Sequence, residues 1–154
     1  MQQVIGAINY SLQNKLQNLV SFLSQVNKGF DAIAEEIDNT NLKTAMLAVA
    51  VECKQYAREI SNQLKQLDIC LPVAYTDQLW DKIEENINEH AYLARGGEIV
   101  ALCNNCELYF GKLYEDVLKE YFPYKNLKDI ITYQLYASQC AFMKIRLLNT
   151  LRFN

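Results

Sequence analysis

Eight apolar residues near the start of the chain, Leu12, Leu16, Leu19, Leu23, Val26, Phe30, Ile33 and Ile37, recur at steps of 4, 3, 4, 3, 4, 3 and 4. This spacing keeps one apolar stripe on one side of a helix, and the stripe needs other helices to cover it. A strand alternates its side chains every second residue and cannot use such a pattern. The seam breaks at Asp38-Asn39-Thr40-Asn41, where short polar side chains offer the backbone competing local hydrogen bonds.

Three further seams follow. Leu42, Met46, Val49, Cys53, Tyr56, Ile60 and Leu67 share a face, with Gln63 or Leu64 in the gap, and Pro72 marks the end. The third seam opens near Glu98 and runs through Ile99, Cys103, Cys106, Phe110, Leu113, Val117 and Tyr121. Pro123 closes it, because proline cannot continue the helical ladder. The fourth uses Leu127, Ile131, Gln134, Ser138, Ala141, Ile145 and Leu148.

The first and third breaks are short, so each joins antiparallel neighbours. The middle connection is long, and residues 76–95 read as an extra helix, capped by Thr76 or Asp77 and stopped by Gly96-Gly97. A connection of that length crosses over the bundle. The expected fold is therefore all-α: a ferritin-like four-helix bundle whose long crossover, between helices two and three, carries an extra helix. An internal echo supports two helical hairpins: NLKTAMLAVAVECKQYAREI at 41–60 aligns without gaps on NLKDIITYQLYASQCAFMKI at 126–145.

Bulk properties narrow the function. A chain of 154 residues suits one domain, 1–154, and its two prolines and five glycines favour long helices. A net charge of -3 leaves no electrostatic footprint for nucleic acid. The longest apolar run, AMLAVAV at 45–51, is far shorter than the roughly 20 residues a membrane span needs. MQQVIGAINY lacks the basic start of a secretory signal, and five cysteines without a leader suggest a reducing compartment. The expected location is the cytoplasm.

The second helix poses the main chemical question. Di-iron bundles take one Glu from each of two helices and Glu-x-x-His from each of the other two. Here Glu52 is followed at the histidine position by Gln55, a neutral and weakly donating amide. The echo places Ala137 and Cys140 at the matching positions of the fourth helix. Helix three offers Glu107, helix one has no Glu before Glu35, and the one histidine, His90, falls in the crossover. The spacing is kept and the chemistry is lost, so no cofactor is expected.

Cys103-x-x-Cys106 resembles half a zinc or redox motif, but no second pair follows. Both cysteines and Cys53 lie on apolar seams, where a free thiol acts as a small hydrophobe. If the chain holds iron or zinc at all, the ligands to expect are Glu52, Cys53, Cys103, Cys106 and Glu107. Cys70, near a helix end, is the thiol expected to face water. Glu85, Glu89 and His90 read as a solvated helix face. No second histidine activates a nucleophile, and Gly96-Gly97 lacks the spacing of a phosphate loop.

Tyr109, Tyr114, Tyr121, Tyr124, Tyr133 and Tyr136 cluster around the third break. They form the candidate interface, for a homo-oligomer or for an adaptor's protein partner, because tyrosine is enriched in such contacts. Gln134 and Ser138 put polar groups on the fourth seam, as a buried layer that must be hydrogen-bonded.

These residues resemble a family of bacterial ferritin-like four-helix-bundle domains of unknown function. Residues 19–60 look like its first hairpin: Gly29-Phe30 with Ala32 or Ala34, then Leu42-Lys43, then Tyr56 and Glu59-Ile60. Trp80 stands where that family often has a crossover tryptophan, and Cys103, Glu107, Tyr114 and Leu118 match its third helix. Asn104, Asn105 and Asn27-Lys28 depart from it by weakening any acidic cluster. The similarity spans about residues 12–150 and implies a fold but no activity. The expected function is a non-catalytic structural or interaction protein. The alternative is a metal-binding or oxidative-stress protein using the Cys/Glu cluster in its core.

Overall fold

The structure, a computed structural model, describes residues 10–71 and 97–152, with side chains for 10–71 and 101–150. It contains α1 (Tyr10–Ala34), α2 (Thr40–Gln66), α3 (Gly97–Leu118) and α4 (Lys125–Arg152), with no strand among the described residues. The expected crossover helix over 76–95, with Trp80, Glu85, Glu89 and His90, lies outside them.

All eight residues of the first seam are buried. Helix α1 nevertheless stops at Ala34, short of Ile37, and a turn held by Glu36 N to Ile33 O (2.9 Å) and Ile37 N to Ala34 O (3.2 Å) carries Ile37 inward. Asn39 then caps α2, its side chain accepting from Leu42 N at 2.9 Å. The polar break is thus both the stop and the next start.

Helix α2 ends six residues before Pro72. Ile69 N reaches Leu64 O (2.8 Å) and Asp68 N reaches Lys65 O (3.1 Å), with Asp68 at φ 56°. This is a Schellman closure, and Leu64 and Ile69, the two positions whose apolar contact commonly accompanies it, are both buried. Asp pays for the left-handed backbone where Gly would not, so Asp68→Gly should raise stability by about 0.5 kcal/mol. A urea titration checks this, and a loss of stability would show that the Asp68 side chain contributes to the closure.

The later seams drift. A straight helix gains about 20° per heptad on a strict 3.5 repeat, so the buried set must slip. On α4 the inward residues are Leu127, Ile131, Gln134, Leu135, Ser138, Phe142, Ile145 and Asn149, while Ala141 and Leu148 are half-buried. On α3 the inward residue is Tyr114 and not Leu113. Tyr121, expected as the last residue of that seam, lies past the helix end and is 76% exposed.

Helix α1 packs on α2 and α3, and α4 packs on the same two. Lys15 meets Glu120 (2.7 Å) and Phe22 meets Phe110, so α1 and α3 are antiparallel. Glu107 pairs with Arg146, and Tyr114 bonds Gln134, so α3 and α4 are antiparallel too. Gln13 Nε2 donates to Cys70 O and Asn27 Nδ2 to Ala50 O (2.8 and 2.7 Å), which makes α1 and α2 antiparallel. It follows that α2 and α3 point the same way.

Candidate functional site

The core holds two adjoining features, a ring cluster and a polar layer. Phe110 on α3 stacks on Tyr114 (centroids 4.9 Å apart) and makes edge contacts with Phe22 on α1 (6.4 Å) and Phe142 on α4 (5.6 Å). Phe142 continues to Phe30 of α1 at 6.3 Å. One ring system therefore ties three helices together across the bundle.

The polar layer centres on Gln134, which is fully buried. Its carbonyl oxygen accepts from the Tyr114 hydroxyl at 2.7 Å. Its amide nitrogen donates to Glu59 Oε1 at 2.9 Å and to Tyr56 O at 3.2 Å. Gln55 Nε2, at the surface, donates to Glu59 Oε2 at 3.2 Å. Hydrogen bonds thus run from α3 through α4 to the outer edge of α2. Both amide protons of Gln134 are used, as a buried amide requires. Ser138 is buried close by and donates to Leu135 O at 2.7 Å, within its own helix.

Tyr114→Phe should strand the Gln134 carbonyl oxygen and lower stability by about 1–3 kcal/mol. Tyr114→Phe with Gln134→Leu removes donor and acceptor together, so it should be more stable than the single variant. Paired urea titrations measure the order; the reverse ranking would mean that water reaches the layer.

The candidate metal ligands scatter by environment. Cys53, Cys103 and Cys106 are buried. Burial pushes the Cys103 thiol up to about 12, with the Glu107 charge adding to it. Burial pushes Cys53 and Cys106 well up too, so all three carry their protons at neutral pH. Glu52 is half-buried; desolvation raises its pKa and the Lys144 charge partly offsets the rise. Glu107 is engaged by Arg146. Among the described residues no group of three His, Cys, Asp or Glu side chains is arranged to hold a metal ion. Cys70 and Cys140 are exposed.

The tyrosines divide in the same way. Tyr114 is a core residue and leaves the candidate interface, because its ring stacks on Phe110 and its hydroxyl is spent on Gln134. Tyr109 and Tyr124 lie half-buried against the core. Tyr121, Tyr133 and Tyr136 are exposed. Sequence reasoning missed Glu59 as a partner of Gln134, although its place three residues after Tyr56 put it beside that face. It also missed Asn149, whose buried amide atoms have no hydrogen-bond partner among the described residues.

A groove of about 380 Å³ lies between α3 and α4, bordered by Glu107, Leu108, Gly111, Ser138, Gln139 and Phe142. A Cβ at Gly111 would meet nothing within 4 Å. Its two inner polar groups are already committed, Ser138 to its helix backbone and Glu107 to Arg146. No helix among the described residues is long and apolar enough to cross a membrane. Compared with known proteins, the chain matches no family model, no curated protein and no solved structure.

Proposed function

We propose that the chain is a ferritin-like, one-crossover bundle that works as a non-catalytic, self-associating structural or interaction protein. The parallel course of α2 and α3 supports the crossover. A segment leaving the end of α2 must travel back the length of the bundle to begin α3. A helix over 76–95 rises about 30 Å, close to the roughly 33 Å of the 22-residue α3.

One observation carries the functional reading: the polar groups of the layer around Gln134 are spent on each other. Gln134 takes Tyr114, Glu59 and the Tyr56 carbonyl as partners. The neighbouring thiols are held protonated by burial, whereas a metal ligand must be a thiolate. Binding an ion would mean breaking this network and ionising buried sulfur.

The test is elemental analysis of protein expressed with iron and zinc supplied. The expected content is below about 0.1 metal per chain, since a site that must release buried protons binds weakly. Stoichiometric iron or zinc, lost on Cys106→Ala, would overturn the reading and leave the metal-binding or oxidative-stress function standing.

A further inference from the structure

Helix α4 is apolar on two opposite sides. One side carries the core seam. The other carries Tyr133, Tyr136, Cys140, Met143 and Leu147, at steps of 3, 4, 3 and 4. These side chains face outward: Tyr133 is 68% exposed, Tyr136 61%, Met143 48% and Leu147 58%, and Cys140 is exposed as well. A helix apolar on both faces is normally covered on both, and a heptad stripe is normally covered by another helix.

We propose that this stripe is a dimer seam, in which α4 of two copies pair antiparallel about a twofold axis at Cys140. The proposal rests on the self-association read above and names its surface. The order of residues argues for a second copy. Stepping back from Cys140 by 4 and 7 residues reaches Tyr136 and Tyr133, and stepping forward by 3 and 7 reaches Met143 and Leu147. Reversing the helix therefore lays the stripe on itself with each tyrosine against a thioether or aliphatic chain. A twofold contact needs such self-complementarity.

Area and charge agree. With 150–250 Å² for a whole aromatic side chain, the stripe offers on the order of 500 Å² per copy. Two copies bury about 1,000 Å², the threshold of a specific interface. The five positions carry no charge. Of the nearby cations, Arg146 is paired with Glu107, and the register sets Lys144 beside the partner's Tyr136, a cation next to a ring.

The test joins solution mass with directed cross-linking on the full chain. By light scattering the protein should be a dimer, and Leu147→Glu a monomer with unchanged helical circular dichroism. Next, Tyr136→Cys and Met143→Cys are each made in a Cys70→Ser/Cys140→Ser background and treated with diamide, which takes two electrons and two protons from a thiol pair. The mixed sample should give a covalent dimer far faster than either variant alone. In the antiparallel register Tyr136 faces Met143 of the other copy, while two Tyr136 positions lie about 12 Å apart along the axis. A monomer at every concentration overturns both the seam and self-association, and would place the cover of the stripe within one chain. A dimer that survives Leu147→Glu, or that lacks the mixed cross-link, overturns the seam alone. Rapid cross-linking of Tyr136→Cys with itself overturns the antiparallel order.

Discussion

Phe110→Ala should cost about 3–5 kcal/mol, the largest loss expected from any single substitution in this bundle. The ring is 1% exposed and touches three others, from α1, α3 and α4. Two terms add. Removing the ring forfeits its burial and leaves a cavity that rigid neighbours close only partly. It also removes one stacked and two edge-on ring contacts, each worth about 0.5–1.5 kcal/mol beyond area. Domains of this kind hold about 5–15 kcal/mol in total, so the variant should sit near the edge of folding at 37 °C. The melting temperature should fall by roughly 10 °C or more. Leu113→Ala is the control, since Leu113 is next to this cluster in sequence but half-buried. Comparable losses from the two would move the centre of the core away from Phe110.

Raising the pH through 9 should begin a steep fall in stability. Cys53, Cys103 and Cys106 are pushed up chiefly by desolvation, from 9.0 to about 12 in Cys103 and well above 9.0 in the other two. The stabilisation is whole below the unfolded-state value and is lost as pH climbs from there toward the folded-state value. In the window from 9 to 12 the unfolded chain has released these protons and the folded chain has kept them. The unfolded state then binds fewer protons, so stability decreases with pH, by about 1.4 kcal/mol per unit for each thiol. Three thiols together give on the order of 4 kcal/mol per unit, enough to consume a typical domain's margin within a few units. Tyr56 and Tyr114, also raised by burial, steepen the fall above pH 10. Urea midpoints at pH 7, 8, 9 and 10 under reducing conditions measure the slope, and Cys53→Ala/Cys103→Ala/Cys106→Ala should flatten it. A flat profile in the wild-type chain would mean that the thiols ionise in place. That would return them to the set of usable metal ligands.

The bundle's helices were legible because each carries an apolar repeat. The first seam placed all eight of its residues correctly, since a strict 4-3 alternation leaves one orientation in which every apolar group is covered. On α3 and α4 the readings slipped by a residue, from Leu113 to Tyr114 and from Ala141 to Phe142. Tyr and Phe were ambiguous there, because a large amphipathic ring suits a rim or a core equally in a one-dimensional pattern. Gln134 and Ser138 stood out as polar residues on an apolar seam. Their partners did not, because Gln134 bonds Tyr114 and Glu59, which are 20 and 75 residues away. The outward stripe on α4 also escaped, since a helix apolar on both faces has no single periodic signal.

What the sequence determined alone is that the described segments are helical, roughly where each of them breaks, and which side of α1 avoids water, all of it set within a few turns of chain. Which rods become neighbours, which tyrosine turns inward and where Gln134 finds its hydrogen bonds were decided only by tertiary packing. Those outcomes depend on groups far apart in the chain meeting in one water-free interior, where an unmatched polar atom costs more than any local preference can supply.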